Sequence, residues 1–268
     1  MIHVAHFIAI SCYAAAAALA AAPLARPMRA PVSGVLGVLA AGVIAHGAAI
    51  VLLSRAAGAG ALSGLGPSLS FAGFTVALAL LLVEAVAREV SLTLLAAPLA
   101  AVAATAGNIA GMQPVMDPGG ARAVWLFLHI VLAFVGLAAY ATAAAAGTMY
   151  LVAHRDLKSR RFGAVFRSFP PLSTLDRVNH VAAMGGFLVL TLGIGLAAAY
   201  SIAYRSVVMT QLVWGFAAWL GIAVLALGRL AGRLPPKRAA ELSSVTFGLV
   251  LVLYVVFRLA SENRGQFL

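Results

Sequence analysis

The stretch AVWLFLHIVLAFVGLAAYATAAAAG, residues 123–147, decides the fold class. From Ala123 to Gly147 no residue carries a formal charge. At about 1.5 Å per residue, such a helix exceeds the roughly 30 Å of hydrocarbon in a bilayer. One side chain stands apart from its neighbours. His129 sits among Trp, Leu, Phe, Ile and Val, and the nearest preceding charge is Arg122.

Similar runs recur along the whole chain. Hydrophobic residues make up 63% of the 268 and charged residues 9%, against about 25% charged in soluble domains; the mean hydropathy is +1.05. This is the composition of an integral membrane protein, and residues 1–268 read as a single membrane domain with no separate soluble part. Apolar windows and Pro/Gly breaks place helices near 3–22, 32–53, 71–87, 90–107, 122–153, 178–200, 208–231 and 240–261. The expected fold is therefore all-α, a polytopic bundle of about eight transmembrane helices. The fifth is long for one crossing, so its C-terminal end is expected to project into water.

The net charge of +11 does not mark a nucleic-acid surface, because Lys and Arg cluster in short loops between apolar runs. Clustering of this kind sets topology. One side collects Arg26, Arg29, Arg88, Arg155, Lys158, Arg160, Arg161, Arg167, Arg177, Arg229, Arg233, Lys237 and Arg238; the other has Arg55, Arg122, Arg205, Arg258 and Arg264. The richer side is expected in the cytoplasm, with both termini outside. The first run has no basic residue ahead of it, so it reads as a retained helix rather than a signal peptide. The single cysteine, Cys12, excludes an internal disulfide, a C-x-x-C pair and a covalent c-type haem site.

The basic loop HRDLKSRRFGAVFRSFPPLSTLDR, residues 154–177, is the main hydrophilic feature. It reads as a topology determinant attractive to anionic lipid, or as a docking surface for a cytoplasmic protein. Pro170–Pro171 makes a stiff turn, and Ser173 or Thr174 is the expected cap of the next helix, with Asp176 in its first turn.

Ionisable groups inside a bilayer are costly and tend to be functional. His3 and His154 fall at the edges, His6 just inside the outer surface and His180 near the cytoplasmic end of the sixth helix. His46 and His129 fall at matching depth, roughly 10 Å below the outer surface at 1.5 Å per residue. Two such imidazoles suit axial ligation of a b-type haem from opposite faces. Gly42, Gly47 and Gly136 would admit the flat ring, with Trp125 and Phe127 lining it. Zinc suits the site less, since no further Cys or carboxylate lies at that depth. Each histidine can equally be a helix-packing residue hydrogen-bonded to a neighbour. Glu84 can pair with Arg88 at i,i+4. Arg258 either snorkels to the surface or faces a haem propionate.

The segment FPPLSTLDRVNHVAAMGGFLVLTLGI, residues 169–194, resembles the cytochrome c assembly family, the membrane proteins of the CcsA, CcmC and HemX type. The residues that carry the likeness are Pro171, Leu172, Leu175, Asp176 and Asn179, then Gly186, Phe187, Leu190, Thr191, Leu192, Gly193 and Ile194. It extends to Ser70 near the third helix, to Leu128, His129 and Tyr140, and to Trp219, Arg238, Ala239, Ala240 and Tyr254. It looks closest to the HemX-like branch, whose second helix carries a histidine, here His46. The resemblance implies a protein of the bacterial cytoplasmic membrane that binds or relays haem b in cytochrome c assembly or haem metabolism. His46 and His129 would be the axial ligands of the haem iron, with His6, His180, Trp125 and Arg258 as further candidates. Membrane lipids and other cytochrome c assembly or haem-biosynthesis proteins would be its partners.

Two departures bear on activity. The tryptophan-rich loop with which catalytic members present haem is absent, since the chain has only Trp125, Trp214 and Trp219, and its end, SENRGQFL, lacks a histidine. A haem-attaching enzyme acting alone is therefore not expected. The alternative is a haem-free scaffold or regulator of haem biosynthesis, such as the HemX branch's association with glutamyl-tRNA reductase implies, working through the basic loop. A transporter would show repeated halves and interrupted helices; no repeat is visible and Pro98 is the one clear mid-helix break.

Overall fold

The structure is a computed structural model that describes residues 1–25, 31–58, 61–62, 64–87, 89–113, 120–160, 163, 166, 168–205 and 209–262; the side chains of 210, 211, 255 and 257–262 lie outside that description. Arg26, Arg29, Arg88, Arg161, Arg167 and Arg264, and the side chain of Arg258, thus fall outside the described residues. The helices bounded among the described residues are α1 Ile2–Ala25, α2 Val32–Ala57, α3 Leu65–Ala87, α4 Thr93–Ala110, α5 Gly120–Lys158, α6 Leu172–Tyr204, α7 Met209–Leu230 and α8 Pro236–Glu262. All but α8 contain a stretch long and apolar enough to cross a membrane. The chain is a multi-pass membrane protein, all-helical among its described residues.

Several helix ends differ from the expected ones, each for a local reason. α6 begins at Leu172, so Ser173 and Thr174 lie inside it and neither caps it. Pro171 occupies the cap, and its carbonyl receives the N–H of Thr174 at 2.9 Å and of Leu175 at 3.2 Å. A proline has no N–H to leave unsatisfied and its φ is preset, so the helix starts directly after the Pro170–Pro171 turn. Asp176 falls beyond the first turn. α4 runs unbroken through Pro98, contrary to the break expected there. Gly232, at φ 64°, closes α7 by donating to Arg229 O, while Arg233 N reaches Gly228 O. This is the left-handed stop that glycine provides.

Consecutive helices are antiparallel, which gives the bundle two ends. We call the end where α1 begins the terminal face, and the end where α5 is joined to α6 the loop face. α1 packs on α2 and α4, and α3 on α4 and α5; α5 lies along α6 and α8, and α7 closes against α6 and α8. One core joins α1 to α4 with the loop-face part of α5 through Leu39, Leu80, Met149 and Leu175. The other joins α5 to α8 around Tyr140, Leu190, Ile222 and Phe247. The long α5 belongs to both.

Apolar side chains do not drive helices together in lipid, so close backbone approach and interhelical hydrogen bonds do. Gly136, Gly186 and Gly193 make the α5–α6 seam: a Cβ on Gly186 would lie 2.8 Å from Ile222 Cδ1 and 3.0 Å from Ala139 Cβ. Near the loop face, Asn179 donates to the Ala143 carbonyl at 2.7 Å and to Ser243 Oγ at 2.8 Å, tying α6 to α5 and α8. Asp176 pairs with Arg229 of α7, whose side chain is 8% exposed. The motif residues that suggested a family are thus largely the joints of the second core.

Neighbouring glycines supply a controlled test. Gly186→Leu should lower stability by about 1–3 kcal/mol through overpacking, seen as earlier thermal unfolding in detergent. Gly185→Leu, where nothing lies within 4 Å of the added Cβ, should leave the transition in place. Removing Arg229 from its pair should cost of order 2–3 kcal/mol, reduced from the fully buried case because Asp176 is partly open. In a thermal-melt cycle, Arg229→Ala with Asp176→Ala should cost less than the two singles summed.

Candidate functional site

Near the terminal face, α1, α2 and α3 enclose a group of polar side chains completely. The buried face of α1 reads His6, Ala9, Tyr13, Ala16, Ala20, and that of α2 includes Leu39, Gly42, His46, Ala49 and Leu53. Spacings of three and four place each set on one stripe, the seam of an antiparallel pair. His6, Tyr13, His46 and Ser70 all have zero exposure.

Their atoms form one connected array. Ser70 Oγ lies 2.6 Å from His6 Nε2 and 2.8 Å from His46 Nε2. Tyr13 OH lies 3.1 Å from His46 Nδ1, and His6 Nδ1 lies 3.2 Å from the Ile2 carbonyl oxygen. The two imidazole centroids are 5.0 Å apart with their planes at 69°. Gly42 makes room for Tyr13, since a Cβ there would sit 2.8 Å from Tyr13 Cε1. The small residue beside His46 therefore receives a phenol from α1, where a flat ring was expected. Gly47 faces Phe74 in the same way, at 3.5 Å.

His129 occupies a different seam. Its Nδ1 lies 2.8 Å from the Gly193 carbonyl of α6. A carbonyl only accepts, so Nδ1 carries a proton and donates it; in the uncharged tautomer with that proton, Nε2 has the lone pair. No hydrogen bond to that nitrogen occurs among the described residues. One turn earlier on α5, Trp125 Nε1 donates to Leu196 O at 3.1 Å and packs edge-on against Tyr200 and Tyr204. Arg122 lies 4.4 Å over the Tyr204 ring. Trp125 and His129 thus grip successive turns of α6. Between Arg122 and Val135 only Ala123 of α5 is buried, whereas buried residues crowd the helix from Gly136 to Met149. The terminal half of α5 is open, and Gly136, expected to make space there, is filled by Leu190.

The expected pair is not in contact. α3 lies between α2 and α5, and an aromatic file crosses it. Phe74 is edge-on to His46 at 5.7 Å, Phe71 stacks on Phe74 at 6.1 Å, and Phe134 of α5 meets Phe71 at 6.0 Å. His180 is half-buried on α6, thirteen residues before Gly193, so about 20 Å of helix separates it from the carbonyl that holds His129. Phe127 is half-buried on α5. Arg258 is on α8 with its side chain outside the described residues. Among the described residues no cluster of three or more His, Cys, Asp or Glu side chains is placed to hold a metal ion.

Two further polar sites lie toward the loop face. Glu84, 1% exposed, accepts from Thr93 N at 2.8 Å and from Thr93 Oγ1, capping the start of α4. Free N–H groups at a helix start attract a carboxylate; Arg88, the expected partner of Glu84, lies outside the described residues. A groove of about 460 Å³ is lined by Leu151, His154, Arg155, Lys158, Ser159 and Lys237. Sequence reasoning missed Tyr13 and the joining of His6 to His46. The available signal was the spacing of seven between His6 and Tyr13, which puts both on one stripe of α1.

Comparison with known proteins gives one result. No curated protein and no solved structure matches the chain. The family model of the cytochrome C assembly protein matches residues 62–263, which run from the loop before α3 to just beyond α8. That span is most of the sequence and includes Ser70, His129 and the Asp176–Asn179 joint, while α1 and α2 precede it. A multi-pass helical bundle with these joints, matched over that length, belongs to the cytochrome c assembly protein family, whose work is cytochrome c biogenesis and which is associated with haem.

Proposed function

We propose that this chain is a haem-handling member of the family, which binds or relays haem b at the open terminal half of α5 with His129 as an axial ligand. The observation that carries this reading is the hydrogen bond from His129 Nδ1 to the Gly193 carbonyl. A ligating histidine ordinarily gives its other N–H to such an acceptor, which fixes the tautomer and aims Nε2 at the metal. The partly exposed ring and the sparse packing of residues 122–135 leave that nitrogen approachable. When bound, haem supplies the iron chemistry, and the chain supplies the ligand and its orientation.

His46 was expected opposite His129. Both of its ring nitrogens are engaged, and Phe74 of α3 lies edge-on to its ring. The geometry favours His46 as part of the α1–α3 array, so that His129 is the residue that would hold the haem iron. Trp125 is a positioning residue that holds α5 on α6. Without the tryptophan-rich presenting loop, the chain acts with other assembly proteins. The excess of basic residues on the loop face supports placing that face in the cytoplasm of a bacterium, with eight crossings and both termini outside. The HemX-like branch fits the size and the His46 position.

The basic groove between the ends of α5 and α8 favours a second reading, a haem-free scaffold that binds a cytoplasmic haem-biosynthesis enzyme at the loop face. Absorption spectra of the purified protein with added hemin, oxidised and dithionite-reduced, separate the two. The haem reading expects a Soret band with split α and β bands on reduction, lost in His129→Ala and kept in His46→Ala. Loss in both variants would restore the bis-histidine pair. A protein that takes up no hemin would leave the scaffold.

A further inference from the structure

The four-residue array of α1, α2 and α3 has a direction that its atoms determine. The Ile2 carbonyl at one end can only accept, so His6 Nδ1 must be the donor to it. With the ring uncharged, His6 Nε2 then has a lone pair and accepts, so Ser70 gives it its single hydroxyl proton. Having given that proton, Ser70 Oγ can only accept from its other neighbour, so His46 Nε2 is the donor there. His46 Nδ1 is in turn left as an acceptor, and Tyr13 OH donates to it. Every hydrogen bond points the same way, from Tyr13 in the middle of α1 to Ile2 at its start. No other assignment with uncharged rings satisfies all the contacts.

Ile2 also lines a pocket of about 700 Å³ on the terminal face, together with His3, Leu52, Met112 and Gln113. His3 is fixed beside it, donating from Nδ1 to Asn108 Oδ1 at 2.8 Å. The array therefore runs from a phenol with zero exposure to the carbonyl of Ile2, a residue that lines this open pocket. No described carboxylate touches it: Glu84, Glu89, Asp156, Asp176 and Glu241 lie toward the loop face. Cys12 and His3 are the other titratable groups nearby, both on α1. Phe74 closes the α3 side against His46.

We infer that Tyr13, His46, Ser70 and His6 form a proton relay that links the interior of the α1–α3 unit to water in the terminal pocket. In the outward passage the Tyr13 O–H bond breaks as His46 Nδ1–H forms. His46 Nε2–H then breaks as a new Ser70 O–H forms, and the original Ser70 O–H breaks as His6 Nε2–H forms. His6 Nδ1 gives its proton to a water entering from the pocket that Ile2 lines, and Tyr13 is left as a phenolate that accepts from His46 Nδ1–H. All the donors now point inward. A proton taken from water by His6 Nδ1 retraces the steps and restores the Tyr13 hydroxyl, so each round trip is balanced. The inference stands apart from the haem reading, which rests on His129 in another seam, and most of the relay precedes the stretch matched to the family.

The test uses the full chain, labelled with nitrogen-15 histidine, in phospholipid vesicles under solid-state NMR at neutral pH. His6 should show the Nδ1–H tautomer and His46 the Nε2–H tautomer, assigned by their disappearance in His6→Gln and His46→Gln. After transfer to heavy water the His46 ring proton should exchange readily despite its burial. Ser70→Ala should slow that exchange by about tenfold or more, because opening of the bundle becomes the remaining route; Ser70→Thr should restore it. Tyr13→Phe, which removes the proton that refills His46 Nδ1, should slow that exchange as Ser70→Ala does. If Ser70→Ala does not fold, His6→Leu cuts the same link from the other side. Matching tautomers, a doubly protonated ring, or exchange indifferent to the Ser70 and His6 substitutions would each overturn the relay.

Discussion

A polar group buried in a lipid-embedded bundle must find its hydrogen-bond partner inside that bundle, because the surrounding hydrocarbon offers none. This constraint organises the molecule more than apolar contact does. Ser70 satisfies two imidazoles at once, and Asn179 reaches both a carbonyl of α5 and a hydroxyl of α8. Glu84 is held by the start of α4, and Arg229 by the carboxylate and the carbonyl of Asp176. Each of these joints connects elements that short loops alone would leave free to slide.

The two cores use the constraint differently. In α1–α3 the polar side chains bond to one another and form a closed array with glycine notches around it. In α5–α8 they bond mostly to backbone carbonyls, as Trp125, His129, Asn179 and Trp214 do. A side chain that donates to a carbonyl holds a helix in register and leaves its remaining atoms available. That difference is why both ring nitrogens of His46 are bonded to side chains, whereas His129 is bonded through Nδ1 to a backbone carbonyl.

α5 carries the division within a single helix. Its loop-face half buries its alanines, Tyr140 and Met149 and sits in both cores. Its terminal half touches mainly α6, through two side-chain bonds and the glycines of the seam. The rigid half fixes the direction of the helix, and the open half displays His129 and Trp125. A site at the open end of a well-anchored helix is both positioned and accessible.

Composition and spacing alone determined that this chain is an all-helical membrane bundle, and they located its eight helices to within a few residues, since uncharged runs and charged loops follow from the bilayer's thickness and dielectric. They also singled out His46, His129 and the Asp176–Asn179 motif, because ionisable or amide groups stand out against an apolar background. What they left undecided was which helices are neighbours. Depth along a helix is readable from residue number, and it put His46 and His129 level. Separation across the bundle depends on helix order and rotation, which arise from packing of every seam together. Only the tertiary structure packed Phe74 of α3 against His46, turned His6 and Tyr13 toward His46, and gave His129 to the carbonyl of Gly193.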